Sequence, residues 1–165
     1  MILYHGTTAP LNEIKTKGLR IFGVKWLHEL MVSRAKDPAK LGPIILRILT
    51  SIREPAFGIY LSTDPEMGKT YIGIPEELGF PFLMRPLKLS QEILKTLVEV
   101  EGDVLIGKLV TLNIPDSWKD DPRTNFDNPD EIIIPWDIGP QYITNIEIVS
   151  RSWREAWAYV RDMIE

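Results

Sequence analysis

Residues 104–114, Val-Leu-Ile-Gly-Lys-Leu-Val-Thr-Leu-Asn-Ile, are dominated by β-branched and aliphatic side chains and contain no proline. Such a run predicts a long strand. Residues 97–100 have the same character, and Glu101-Gly102-Asp103 between the two runs supplies the turn chemistry of a hairpin. A lone hairpin is marginal in water. The rest of the chain therefore has to add strands beside it and helices over it.

The flanking sequence offers both. Residues 2–4 read as a short strand entering a turn at His5-Gly6, with Thr7 or Thr8 placed to cap a helix, Pro10 in its first turn, and Gly18 as its stop. Residues 24–53 carry two apolar stripes broken at Asp37-Pro38, which predicts a helical insertion between sheet elements. Residues 58–62 read as a strand. Thr63-Asp64-Pro65-Glu66 is a strong helix start, and that helix is expected to run to about Tyr71. A strand over 80–85 and a helix over 90–97 are expected before the hairpin. After it, residues 115–130 are polar and turn-rich, 131–135 and 142–149 read as strands, and Ile146 and Ile148 should face inward with Glu147 outward. Ser152 and Glu155 form a capping-box pattern opening a helix over 153–164, with Trp153, Trp157, Val160 and Ile164 on one core-facing stripe. The class is α+β: one domain, 1–165, with a mostly antiparallel and split sheet and peripheral helices.

Charge and composition narrow the function classes. A net charge of −4 gives no broad basic field for nucleic acid, and Lys15, Lys17, Arg20 and Lys25 read as a solvated surface. The absence of cysteine removes disulfides, thiol nucleophiles and Cys-type zinc sites, and with only His5 and His28 no metal site is expected. No apolar run reaches a membrane span, and the start has no secretory pattern, so the expected compartment is the cytoplasm. A Rossmann Gly-x-Gly-x-x-Gly, a Walker loop and a Gly-x-Ser-x-Gly elbow are all missing.

Three segments stand out instead: Leu3-Tyr4-His5-Gly6-Thr7; Gly58-Ile59-Tyr60-Leu61, followed by Tyr71; and Glu131-Ile132-Ile133. Tyr60 and Tyr71 are eleven apart, and Ile14 and Gly18-Leu19 follow the first segment. In this order the set resembles the His, Tyr and Glu motifs of the ADP-ribosyltransferase superfamily, on its poly-ADP-ribose-polymerase and diphtheria-toxin side. The likeness covers 1–20, 57–71 and 129–149; residues 21–56 and 72–128 match nothing named.

The resemblance implies an ADP-ribosyltransferase-like split sheet that cleaves NAD and transfers ADP-ribose to a macromolecular acceptor. His5, Gly6, Thr7, Tyr60 and Tyr71 would bind NAD, and Glu131, with His5 and Tyr60, would carry the chemistry. Each role is physically sound. A tyrosine face on the cationic nicotinamide ring is worth ~0.5–2 kcal/mol. Gly6 lets backbone approach a planar carboxamide. Neutral His5 can bond a ribose hydroxyl. The Glu131 carboxylate places negative charge where an oxocarbenium-like ribose develops positive charge.

Two positions depart from the family. Gly68 stands where a serine often bonds the nicotinamide amide, and Pro129 stands where arginine-modifying members carry a second glutamate. The second departure argues against arginine as acceptor. The loop before Glu131 holds Asp116, Asp120, Asp121, Asp127 and Asp130, which suits a basic protein surface better than a phosphate backbone. RNA 2′-phosphotransfer, NAD hydrolysis with water as acceptor, a DNA-directed toxin, and a non-catalytic NAD or ADP-ribose reader or scaffold are the alternatives.

Overall fold

The structure, a computed structural model, describes residues 1–20, 58–70, 72 and 99–164. The helical insertion over 24–53, the elements expected over 73–97, and Lys25, His28 and Tyr71 lie outside the described residues.

The long strand is β4, introduced here with its neighbours: β1 (Ile2–Thr7), α1 (Leu11–Lys17), β2 (Ile59–Leu61), α2 (Pro65–Thr70), β3 (Val100–Glu101), β4 (Val104–Asn113), β5 (Ile132–Ile134), β6 (Ile143–Ser152) and α3 (Trp153–Ile164). Short 3₁₀ turns occupy Asp116–Asp120 and Pro140–Tyr142. All paired strands are antiparallel. Gly102 takes φ 63° in the hairpin turn between β3 and β4, which glycine adopts without penalty. One edge of β4 carries β3 and then β1; the other carries β6, with a bulge after Thr111. The architecture is α+β with antiparallel sheets, as the sequence leads one to expect.

A second, two-stranded sheet, β2 with β5, hangs from the free edge of β1 through one bridge. Tyr4 and Ser62 exchange both backbone hydrogen bonds there, at 2.8 and 2.9 Å. Along β1 and β4, period-two alternation sends Leu3, Val110 and Leu112 to one side, where they meet Ile14, Leu19, Ile59, Leu61, Ile132, Ile134 and Ile138 in the core. Tyr4, Gly6, Gly107 and Leu109 face the opposite side, where α2 and Ile72 lie.

Several local expectations need correcting. His5 and Gly6 are not in a turn; they lie inside β1, opposite Val110 and Leu109, because β4 is long enough to pair them. Neither Thr7 nor Thr8 caps α1. Pro10 takes the N-cap position, Thr7 Oγ1 accepts the Ala9 N–H, and the Leu11 N–H goes to the distant Glu99 carboxylate. Ile148 shares the side of Ile146, but it is 49% exposed, whereas Ile146 packs on the core. Other signals hold locally. Gly18 ends α1 at φ 75°, Asp64 Oδ1 caps α2 through the Glu66 N–H, and Ser152 Oγ accepts the Glu155 N–H at the start of α3. Trp153 is buried and stacks on half-buried Trp157, as the stripe requires. Among the described residues no helix is long and apolar enough to cross a membrane.

Candidate active site

The three sequence segments come together where the sheet splits. Tyr4 bridges Ser62, and Leu61 pairs with Ile132, so Ser62 and Glu131 are next in register. The His5, Tyr60 and Glu131 segments thus lie on three neighbouring strands.

His5 sits in the split itself. It is 7% exposed, and its Nδ1 lies 2.7 Å from the Tyr60 carbonyl oxygen. A carbonyl can only accept, so Nδ1 is the protonated nitrogen and Nε2 of the neutral ring is an acceptor. Burial pushes the imidazole below the ordinary histidine value, against the smaller opposing pull of the Tyr60 carbonyl. A neutral ring with a free lone pair can receive a hydroxyl proton in a hydrogen bond.

Gly6 has a different neighbour from the one expected. A Cβ there would sit well inside contact distance of the Gly68 carbonyl oxygen, and 3.0 Å from Ile72 Cγ1. The missing side chain lets α2 seat against β1. Gly68 is small for the same reason: its own Cβ would lie 2.9 Å from Leu109 Cδ1 and 3.4 Å from Tyr4 Cβ. Gly68 thus stands where α2 lies close against β1 and β4. Thr7 is buried and holds the turn through Ala9.

Tyr60 is half-buried, opposite Ile133, on the side of β2 away from the core residues Ile59 and Leu61. Tyr71 lies outside the described residues.

Glu131 is exposed and immediately precedes β5. Its N–H donates to the Asn128 carbonyl at 3.0 Å, and Asn128 Oδ1 accepts the Asp130 N–H in an Asx turn. The Thr63 N–H reaches across to the Pro129 carbonyl at 2.9 Å, tying the start of α2 to the turn that presents Glu131. Two more Asx turns, Asp121 to Arg123 and Asn125 to Asp127, shape the loop before it. The Arg123 side chain forks onto both Asp121 oxygens, which holds that carboxyl down at about 2, and lies over the Trp136 ring at 5.0 Å. Trp118 meets Trp136 and Tyr142 edge-on beneath it.

Sequence reasoning missed one group. Lys108 is fully buried, and its Nζ lies 2.6 Å from both the Ala9 carbonyl and Glu99 Oε2. The available signal was parity: Lys108 interrupts the inward-facing series with Val110 and Leu112. Among the described residues, no group of three or more histidines or carboxylates could hold a metal ion. Comparison with family models, with curated proteins and with solved structures finds no match to this chain.

Proposed function

We propose that the chain is an NAD-dependent ADP-ribosyltransferase with an ADP-ribosyltransferase-like split sheet. The observation that carries this reading is the convergence of three segments far apart in sequence. His5 and Tyr60 lie on the neighbouring strands β1 and β2, Glu131 immediately precedes β5 beside them, and His5 is bonded to the Tyr60 backbone.

In the proposed reaction, His5 Nε2 accepts a hydrogen bond from a ribose hydroxyl of NAD and fixes the sugar. The resemblance assigns Tyr60 and Tyr71 to the nicotinamide. The nicotinamide–ribose bond breaks heterolytically, the bonding pair leaves with nicotinamide, and the ring departs neutral. The ribosyl carbon becomes electron-deficient, and the Glu131 carboxylate stabilises it through the 2′-hydroxyl. An acceptor nucleophile then gives an electron pair to that carbon and releases its proton to solvent, with the Glu131 carboxylate polarising it as it approaches. The exposed position of Glu131 leaves room for a macromolecule to approach. The acidic turn series from Asp116 to Asp130, balanced only by Lys119 and Arg123, favours a basic protein as that acceptor.

The test is nicotinamide release from NAD by purified protein, with and without cell lysate, beside Glu131→Ala. Release that disappears in the variant supports the proposal. Silence of the wild type in both conditions sinks it and leaves a binding module as the better account.

A further inference from the structure

Burying a lysine in the middle of an apolar strand is costly unless its charge is fully met, and an aliphatic residue would fill the position of Lys108 at less expense. The structure shows what the charge does meet. Lys108 stands opposite Thr7 in the β1–β4 register. Its ammonium donates to the Ala9 carbonyl and to Glu99 Oε2, each at 2.6 Å. The same Glu99 oxygen accepts the Leu11 N–H at 2.9 Å, and the Glu99 N–H donates to the Thr8 carbonyl at 3.1 Å. The Glu99 carbonyl in turn accepts the Ile106 N–H at 2.8 Å, which anchors it to β4.

The bonds to Thr8 and Ala9 land on the turn that follows His5-Gly6-Thr7, and the bond to Leu11 on the first residue of α1. That turn leaves the sheet before α1 begins, and α1 opens on a proline with no side-chain cap of its own. The Lys108–Glu99 pair takes over both duties. It satisfies the turn's carbonyls and it holds the first free N–H of the helix.

We propose that Lys108 and Glu99 are positioning residues that lock the turn after His5-Gly6-Thr7, and through it the His5 ring, for NAD. Neither touches substrate. The inference rests on the functional proposal above for NAD, but its effect on His5 does not. An apolar pair would fill the same space and support the fold while leaving the turn free to sample other geometries.

The experiment compares wild type, Glu99→Gln, Lys108→Met and the double variant Lys108→Met/Glu99→Met. The chain has only two histidines, His5 and His28, so the His5 ring is followed by its nitrogen-15 resonances. Glu99→Gln keeps the acceptor oxygen but removes the countercharge of buried Lys108, so it should lower stability while the folded protein keeps both readouts near wild type. The folded Met variants should shift the His5 resonances and raise KM for NAD about tenfold while kcat stays within about twofold. Should Lys108→Met fail to fold, the apolar double variant carries the same test. Folded Met variants with wild-type His5 resonances overturn the positioning role, whatever their KM. If the wild type does not cleave NAD, the functional proposal fails, and the His5 resonances alone decide the coupling.

Discussion

The His5 ring stands in for a strand-to-strand hydrogen bond with Tyr60. Tyr4 and Ser62 form a doubly bonded antiparallel pair, so a continued ladder would bring the Gly6 N–H to the Tyr60 carbonyl. Ile133, across from Tyr60 in β5, uses its N–H and carbonyl on Asn125, which leaves the Tyr60 carbonyl facing β1. The His5 Nδ1–H takes it at 2.7 Å. One side chain thus closes the backbone hydrogen bonding of the split.

His5→Ala should therefore destabilise the protein, not merely silence it. The variant leaves the Tyr60 carbonyl in a part-buried place without its partner, a loss of about 1–3 kcal/mol. Urea unfolding of the two proteins measures it. A loss under about 0.5 kcal/mol would mean that water replaces the ring freely.

The glycine crossing of α2 and β1 yields a prediction of direction. Gly6→Ala places a methyl group against the Gly68 carbonyl, and backbone cannot rotate away, so about 1–3 kcal/mol of stability should be lost, with α2 displaced. Gly68→Ser instead meets Leu109 Cδ1, the end of a side chain, at 2.9 Å. Its cost should be smaller and should fall further in a Leu109→Ala background. Thermal unfolding of the single and double variants, treated as a cycle, separates the two cases.

How much of this was legible beforehand depends on how local each cause is. The β3–β4 hairpin was readable because Gly102 and its neighbours set the turn by themselves. The Asp64 cap and the Gly18 stop are equally local. His5-Gly6 misled because glycine signals a turn in sequence, whereas here it makes room for a helix from another part of the chain. The cap of α1 was hidden because Glu99 is supplied from 88 residues away. Alternation put Ile148 on the correct side of β6, yet alternation carries no information about what covers that side. The three site segments were visible as letters, but their adjacency depends on the Tyr4–Ser62 bridge, which no local rule specifies.

Asn128 should matter more for activity than for stability. Its carbonyl accepts the Glu131 N–H and its side chain accepts the Asp130 N–H, so it shapes the turn that aims the carboxylate. The turn is exposed, and Asn128→Ala should cost no more than about 0.5–1 kcal/mol in unfolding free energy. Nicotinamide release should fall about tenfold, because a small misplacement of a charge-stabilising group is expensive. Equal and small changes in both quantities would count against a presenting role.

The Arg123 fork predicts a carboxyl that stays ionised in acid. Asp121 is held at about 2 first by its side-chain hydrogen bond to Arg123, then by the Arg123 backbone N–H. Arg123→Gln should return its titration toward the ordinary aspartate value of 3.8. Carbon-13 detection of the side-chain carboxyls follows that change directly. Both groups reach solvent, so the substitution should scarcely alter the unfolding midpoint.

Acid should act on the fold through His5 as well. Burial lowers the native imidazole below its ordinary value of 6.5, so the unfolded chain binds a proton there before the native one does. The stabilisation is fully present above 6.5 and is lost as pH falls from 6.5 toward the native value. The slope cannot exceed about 1.4 kcal/mol per pH unit for one group. The difference between wild type and His5→Gln isolates this effect, since His28 and the carboxylates are common to both. Stability of the wild type should fall more steeply than that of His5→Gln just below pH 6.5. Nicotinamide release should fall with it at lower pH, where a protonated ring can no longer accept from a ribose hydroxyl. Parallel stability curves for the two proteins would show that His5 titrates as an ordinary exposed histidine and that the split is held by something else.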